Sequence, residues 1–138
     1  RVTLVSLLSL PALKIGMIPG SGGSARLAKM IGISRTKNII MRGKRLSGEE
    51  AYQLGIACEI VEKSELENMT KKIVKELISV SPLAQRTIKS VLNATQNATL
   101  QTSIDLEGEA YGRLRSSNDF KEGVESFSEK RPPSYKGN

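Results

Sequence analysis

Histidine is absent from this sequence of 138 residues, and that absence excludes several kinds of catalytic site. A Ser-His-Asp triad, a Cys-His pair and a metal site built on imidazole each need a histidine, so this chain cannot form them by itself. The single cysteine, Cys58, cannot form a disulfide within the chain and lies in the apolar stretch IACEIV. We therefore expect a buried, unreactive thiol in a reducing compartment, which favours a cytoplasmic location.

Aromatic residues are scarce, at 4% with no tryptophan, and long hydrophobic runs are missing. Hydrophobic residues make up 38% of the chain, so a core is possible but must be built from aliphatic side chains. A membrane-spanning helix needs about 18 consecutive apolar residues, and no stretch approaches that length. We therefore expect no membrane partner.

The first residue is Arg1 rather than methionine, and an apolar stretch with small residues follows it. This segment superficially resembles a signal peptide, but its apolar part is short and the pattern continues directly into Leu13-Lys-Ile-Gly16. We expect no signal peptide and interpret the beginning as a processed end or the edge of a fragment.

Acidic residues are outnumbered, with 14 Asp and Glu against 21 Lys and Arg and a formal net charge of +7. Such an excess raises the local concentration of phosphate groups on nucleic acids, lipids or coenzymes. The alternative is an ordinary solvated basic surface, because the cations are dispersed from Lys14 to Lys136. Neither interleaved aromatic residues nor a basic helix face indicates nucleic acid, which we do not expect as a partner.

Aliphatic patterning and turn residues predict short strands and helices in the first 62 residues. Strands or extended segments are predicted at residues 2–8, 13–18 and 56–61. Helices are predicted from Ser21 or Ser24 to about Ile31, from about Arg35 to Arg42, and from a capping box at Ser47 and Glu50 to Gly55. The first strands have no evident partners to complete a sheet, so further strands are expected upstream.

Residues 63–138 are predicted to form helices packed as hairpins. A second capping box at Ser64 and Glu67 precedes an amphipathic helix over about 65–79, and Ser81-Pro82 begins another that ends near Gln96. A third helix spans Leu100 to Leu114 with Gly108 facing inward. A fourth is capped by Ser116 or Ser117 and places three apolar residues on one face: Phe120, Val124 and Phe127. The predicted fold class is α/β, with short strands at the N-terminal end followed by a mainly helical region.

A glycine-rich turn, Pro19-Gly-Ser-Gly-Gly23, precedes the first predicted helix. Glycine lets the backbone approach a ligand closely, and a helix N-terminus offers free N–H groups with positive partial charge. The turn fits neither G-x-x-x-x-G-K-[ST] nor G-x-G-x-x-G, so it does not indicate binding of ATP or a dinucleotide. Taken by itself, it is also compatible with a tight strand-to-helix turn that binds nothing.

In its context, the turn resembles a hallmark of the enoyl-CoA hydratase/isomerase (crotonase) family. Residues 11–27, PALKIGMIPGSGGSARL, are similar to the family pattern PE-x-x-x-G-x-x-P-G-x-G-G-x-x-R-L. The resemblance continues through Gly43 and Ser47-x-x-x-Ala51-x-x-x-Gly55, and it closes with FKEGV-x-x-F-x-EKR at residues 120–131. It extends from Pro11 to Gly137, whereas residues 1–10 match poorly. The motifs stand in the same order as in the C-terminal part of such a protein, which this chain therefore resembles.

The resemblance implies the C-terminal portion of a crotonase-like fold. Residues 1–62 would be the last part of a core spiral of ββα units, and residues 63–138 a helical region that covers coenzyme A and mediates oligomers. Family members polarise an acyl-CoA thioester with two backbone N–H groups, and hydratases add water to 2-enoyl-CoA with two glutamates. The expected partners are an acyl-CoA substrate and either further copies, as a trimer or dimer of trimers, or a complementing N-terminal half. No metal is expected, and no cofactor besides the coenzyme A of the substrate.

Four positions match functional positions of the family. Ala12 occupies the place of a catalytic glutamate, and Gly20 matches a glycine whose backbone N–H lies beside the catalytic water in hydratases. Tyr111 matches an aromatic position near the adenine of coenzyme A, and Lys130 a lysine near its phosphates. Each has a simpler alternative: the turn itself for Gly20, core packing for Tyr111 and a solvated charge for Lys130.

Two interpretations of function remain open. The chain is either the C-terminal segment of an enoyl-CoA hydratase- or isomerase-type enzyme, inactive by itself, or a non-catalytic oligomerisation fragment of a truncated gene. Ala12 cannot transfer a proton, and the resemblance places the other glutamate and the oxyanion donors upstream. The paired carboxylates in the chain are expected at capping or exposed helical positions: Glu49/Glu50, Glu65/Glu67 and Glu107/Glu109.

Overall fold

Short strands and helices alternate at the beginning of the computed structural model, which describes residues 2–138. Two compact units are present: one extends to Thr70 and the other spans Lys71–Asn138. The first unit contains, in chain order, β1 (Val2–Thr3), β2 (Leu7–Ser9), a 3-10 helix (Pro11–Ile15), α1 (Gly23–Ile31), α2 (Ile33–Met41), β3 (Arg45–Ser47), α3 (Gly48–Gln53), β4 (Ile60–Val61) and a 3-10 turn (Lys63–Glu65).

The four strands pair two by two. β1 runs parallel to β4, with Val2 opposite Ile60, and β2 runs antiparallel to β3, with Leu8 opposite Leu46. The predicted extended segment 2–8 is therefore interrupted. The cause is a turn at Ser6, whose N–H donates to the carbonyl of Thr3 at 2.9 Å and whose hydroxyl accepts from the N–H of Thr3 at 2.9 Å.

Two further strand predictions differ from the structure. Residues 13–18 are not a strand, because Pro11 starts a 3-10 helix that ends at Gly16, which adopts a φ of 73°. The strand predicted at 56–61 is reduced to β4. There the N–H groups of Ile56 and Ala57 both donate to the carbonyl of Ala51, at the end of α3, and so cannot join a sheet.

Two small clusters of aliphatic side chains form the core of the first unit. One contains Leu27, Ile31, Ile39, Ile40 and Leu46, and the other contains Val2, Ala51 and Ala57. The first cluster joins α1, α2 and β3, and the second joins α3 to β1. Cys58 follows the second cluster but is exposed, so the prediction of a buried thiol is wrong. It lies in the turn before β4 rather than within a buried strand.

Helix starts in the first unit follow two different mechanisms. The capping box of α3 is confirmed: the Ser47 hydroxyl accepts from the N–H of Glu50 at 3.1 Å, and the Glu50 carboxylate accepts from the N–H of Ser47 at 2.9 Å. The predicted serine cap of α1 is wrong, because Gly22 in a left-handed conformation is the N-cap residue. The second predicted capping box is also wrong, since Ser64 lies within a 3-10 turn.

The helices after this turn are α4 (Leu66–Ile78), α5 (Pro82–Thr95), α6 (Leu100–Arg115) and α7 (Asn118–Ser128). Side-chain hydroxyls accept from the backbone at three of their N-termini, those of Ser81, Thr99 and Ser117. None of the helices in residues 2–138 is both long and apolar enough to cross a membrane.

The last three helices bury few side chains. Ala110 is buried on α6, as are Asp119 and Ser126 on α7. Gly108 is exposed, so its predicted inward orientation is wrong, because it lies almost opposite Ala110 around a helix of about 3.6 residues per turn. Ile88 and Leu92 on α5 were also expected inside, but their exposed fractions are 46% and 60%.

A substitution at Gly48 tests the contact between α3 and β1. A Cβ atom at this position would lie 2.0 Å from the backbone oxygen of Thr3, so Gly48→Ala must displace backbone. We expect a loss of about 3 kcal/mol in the free energy of unfolding, measured by urea titration. Gly108→Ala is the matched control, since a Cβ there meets nothing within 4 Å. The control should gain about 0.8 kcal/mol because alanine favours helix. An unchanged urea midpoint for Gly48→Ala would contradict the contact.

Candidate functional site

The glycine-rich turn leads into α1 through two consecutive left-handed residues. Ser21 has a φ of 55° and Gly22 a φ of 79°. The N–H of Gly23 then donates to the carbonyl of Gly20 at 3.1 Å, and that of Arg26 donates to Gly22 at 2.9 Å. Gly22 is therefore explained by its conformation. Ser21 is less easily explained, because residues other than glycine are disfavoured in this region.

Gly20 has no comparable structural requirement for glycine. Its φ lies outside the left-handed region, it is exposed, and a Cβ at this position would meet no atom within 4 Å. Within residues 2–138 nothing accepts a hydrogen bond from its N–H. Gly23 differs, because its Cβ would lie 3.3 Å from Cβ of Pro19 and 3.5 Å from Cδ2 of Leu10. The turn by itself therefore accounts for Gly22 and Gly23 but not for Gly20.

Ala12 lies in the 3-10 helix at Pro11–Ile15 and is half-buried. Its carbonyl accepts from the N–H of Met17 at 3.0 Å. The methyl side chain offers no group that could carry a proton. No cluster of three or more His, Cys, Asp and Glu side chains within residues 2–138 could hold a metal ion.

A groove of about 550 Å³ lies in the second unit and is lined mainly by apolar side chains. Tyr111 is part of its wall, with an exposed fraction of 62%, so core packing does not explain this residue. The guanidinium of Arg115 lies 5.9 Å from the centre of the Tyr111 ring, within the range of a cation–π contact. Other lining residues include Ser81, Leu114, Asp119, Phe120, Gly123, Val124, Phe127 and Tyr135.

Lys130 follows α7 in a conformation that normally favours glycine. Its φ is 55°, its N–H donates to the carbonyl of Phe127 at 3.3 Å, and the N–H of Arg131 donates to Ser126 at 3.0 Å. This pair of bonds is a Schellman motif, in which the left-handed residue is usually glycine. A lysine here costs about 1 kcal/mol relative to glycine, and its side chain is exposed.

Two carboxylates on α7 have defined partners that sequence reasoning did not find. Asp119 is buried, with an exposed fraction of 4%, and accepts from the Ser81 hydroxyl at 2.6 Å and from the N–H groups of Lys136 and Gly137 at 2.9 Å each. Burial raises the pKa of Asp119, but these hydrogen bonds outweigh burial and leave the pKa below its ordinary value.

Glu122 binds Arg131 through two hydrogen bonds, of 2.6 Å and 3.0 Å. Hydrogen bonds from Arg131 and from the N–H of Ser134 lower the pKa of Glu122 to about 2, and the same pair raises the pKa of Arg131. Both residues stand in the FKEGV-x-x-F-x-EKR motif, although neither was singled out as a site residue. Their pairing depends on the turn at Lys130, which the motif does not reveal.

The predicted site residues fall in both units. Ala12 and Gly20 belong to the first unit, whereas Tyr111 and Lys130 belong to the second. Tyr111 lines the groove; Lys130 follows α7, whose Phe127 lines the groove.

Comparison with known proteins places this geometry in a family. Residues 5–138 match the family model described as enoyl-CoA hydratase/isomerase. The chain belongs to the enoyl-CoA hydratase/isomerase family.

Similar proteins have named activities on CoA thioesters. A short-chain-enoyl-CoA hydratase from Clostridium acetobutylicum is 32% identical over 121 residues, covering 88% of this chain and 46% of that protein. A carnitinyl-CoA dehydratase from Salmonella paratyphi A is 33% identical over 140 residues, covering 94% of this chain and 51% of that protein. The chain therefore spans about half the length of these curated relatives.

A solved structure of the family confirms the predicted fold class. The enoyl-CoA hydratase from Bacillus anthracis superposes with a TM-score of 0.95 at 33% identity, over 99% of this chain and 53% of that protein. The chain therefore has part of a crotonase-like α/β fold, with short strands followed by helices.

Substitution of two neighbouring glycines separates conformation from function in the turn. We expect Gly20→Ala to change the free energy of unfolding by less than about 0.5 kcal/mol, because the added methyl group meets open space. Gly22→Ala is the matched control and should lose about 1 kcal/mol or more, because its φ is 79°. Denaturant titration of the two variants measures both. Equal losses would show that the turn itself needs glycine at both positions.

Proposed function

We propose that residues 1–138 form the C-terminal part of an enzyme that acts on acyl-CoA thioesters, of which addition of water to 2-enoyl-CoA is the reaction favoured here. The observation that carries the proposal is Gly20, an exposed residue whose N–H donates to no acceptor within residues 2–138, in a family chain whose turn does not itself require glycine there. A glycine with free space at its Cβ position allows a ligand or water to approach the backbone closely.

Gly20 would serve as a binding residue through its backbone. An N–H group without an intramolecular acceptor can donate to a water molecule or to an oxygen of the substrate. A side chain at this position would occupy the space through which such a ligand approaches. This role explains why glycine stands at position 20, where backbone conformation alone would accept other residues.

Lys130 and Tyr111 would bind the coenzyme A portion of the substrate. The Lys130 ammonium would contact phosphate, and the conformational cost of a left-handed lysine is consistent with selection for its side chain. The exposed ring of Tyr111, next to Arg115, would offer a flat apolar surface to adenine. The substrate would be an acyl-CoA thioester, and the protein would act as a trimer or dimer of trimers.

Catalysis would require side chains from additional polypeptide. Addition of water to a conjugated thioester needs groups that transfer protons, and Ala12 provides none. Glu50 is engaged in the α3 capping box, and Asp119 and Glu122 bind the residues after α7. The missing acid–base groups and the oxyanion donors would come from an N-terminal half, either in a longer chain or as a separate polypeptide.

A second candidate function is a non-catalytic oligomerisation fragment. The exposed apolar residues on α7 favour it, since Phe127 is 87% exposed and Val124 is 54% exposed. Contiguous exposed apolar side chains are typical of surfaces that bind other proteins. Light scattering in the absence of CoA measures the oligomer, and calorimetry measures the binding of acyl-CoA. This candidate needs a stable oligomer that binds no acyl-CoA.

Crotonyl-CoA tests the catalytic proposal directly. Residues 1–138 alone should give no turnover, because no positioned carboxylate is available for proton transfer. Turnover should appear when these residues are joined to, or mixed with, the segment encoded immediately upstream. The loss of ultraviolet absorbance from the conjugated double bond measures hydration. Turnover by residues 1–138 alone would overturn the argument, and so would a joined protein that binds no CoA thioester.

Lys130→Gly should stabilise the fold and weaken the binding of coenzyme A. Relief of the left-handed strain should add about 1 kcal/mol to the free energy of unfolding. Loss of the ammonium should reduce the affinity of the joined protein for CoA about fivefold to tenfold, measured by calorimetry. Lys130→Ala is the control, because it removes the charge and keeps the strain. If Lys130→Gly binds CoA as tightly as the unsubstituted protein, Lys130 is only a solvated charge.

A further inference from the structure

The residues that follow α7 fold back and are held by two carboxylates of that helix. We define residues 131–138 as the C-terminal strap. Asp119 accepts from the N–H groups of Lys136 and Gly137 at 2.9 Å each, and its own N–H donates to the carbonyl of Asn138 at 3.0 Å. Glu122 accepts from the N–H of Ser134 at 2.6 Å. The strap is thus fixed to α7 near its middle and at its end.

The strap also reaches the beginning of α5. Arg86 donates to the carbonyl of Gly137 at 3.0 Å, and a Cβ atom on Gly137 would lie 3.2 Å from Cγ of Pro82. The Ser81 hydroxyl donates to the same Asp119 carboxylate at 2.6 Å. One buried carboxylate therefore joins α7, the start of α5 and the strap.

Tyr135 connects the strap to the groove that contains Tyr111. Its side chain is half-buried and lines the groove, and its hydroxyl would lie 3.3 Å from a Cβ atom placed on Gly123 of α7. The glycine at position 123 therefore allows the Tyr135 ring to lie directly on α7. Without the strap, the groove would lose this wall.

Polar contacts rather than apolar burial hold the strap in place. Apart from Tyr135 and Gly137, all its residues are exposed. When such a segment detaches, its N–H groups and the Asp119 carboxylate exchange their hydrogen bonds for bonds to water, which limits the net cost. Segments with few buried apolar contacts open at lower free energy than the helices beneath them.

We propose that the C-terminal strap is a gate to the groove, with Asp119 as the positioning residue that keeps it closed. Closure places Tyr135 in the groove wall against Gly123 of α7, and opening removes this wall and widens access to the groove. The gate does not depend on the proposed function, because opening is a property of the second unit without a ligand.

Hydrogen exchange in the unsubstituted chain tests whether the strap opens separately. At neutral pH, the amides of Lys136 and Gly137 should be protected, yet exchange about tenfold or more faster than the amide of Ala110 in α6. Equal rates would show that the strap opens only when the whole unit unfolds. A complete lack of protection would show that the strap is not latched. Either result overturns the gate.

Asp119→Asn tests the latch, with Asp105→Asn as the matched control. Both remove one negative charge, but Asp105 lies on α6 and accepts from Gln101 at 2.8 Å, away from the strap contacts. Asp119→Asn should speed exchange at Lys136 and Gly137 about fivefold to tenfold relative to the control, because a neutral acceptor forms weaker bonds.

The three tyrosines make the same opening visible in fluorine spectra. With 3-fluorotyrosine, the Tyr135 signal should move towards that of a solvated ring in Asp119→Asn, the Tyr111 signal should shift, and the Tyr52 signal in the first unit should not. Unchanged Tyr135 signals and strap amides would contradict the latch. An equal acceleration at Ala110 would mean that Asp119 stabilises the whole unit, and this too would overturn the gate.

Discussion

Among residues 2–138, nine hydrophobic side chains are buried, whereas twenty-four large ones are exposed. Burial of apolar surface is the dominant favourable term in folding, so a chain with this ratio has surfaces suited to further packing. The paired strands lead to the same interpretation, because two-stranded pairs are marginal in water. The chain buries too little apolar surface by itself. This shortage is the physical reason to interpret the chain as part of a larger fold.

The backbone at three positions supports the proposed function. Three positions depart from what local geometry would select: Gly20, a glycine where none is required, and Ser21 and Lys130, left-handed residues that are not glycine. Residues in sparsely populated conformations, such as Ser21 and Lys130, cluster at sites where proteins bind ligands. Two of the three, Gly20 and Lys130, are also the positions that the family resemblance singles out.

The two units use their acidic residues differently. In the first unit, Glu50 completes a capping box and stabilises the start of a helix. In the second unit, Asp119 and Glu122 bind backbone N–H groups of the strap and thereby shape a groove. Neither use leaves these carboxylates positioned for proton transfer, which is consistent with the proposal that catalysis requires additional polypeptide.

The amino-acid sequence by itself determined the family, the succession of helices and the capping box at Ser47, because these depend on residue order and local spacing. It did not determine the 3-10 helix at Pro11–Ile15, the exposure of Cys58 and Gly108, or the partners of Asp119. The partners of Asp119 depend on contacts between distant residues, such as Ser81 with Asp119 and Asp119 with Lys136. Local patterning records which side chains are apolar or charged, but only tertiary packing decides which of them meet.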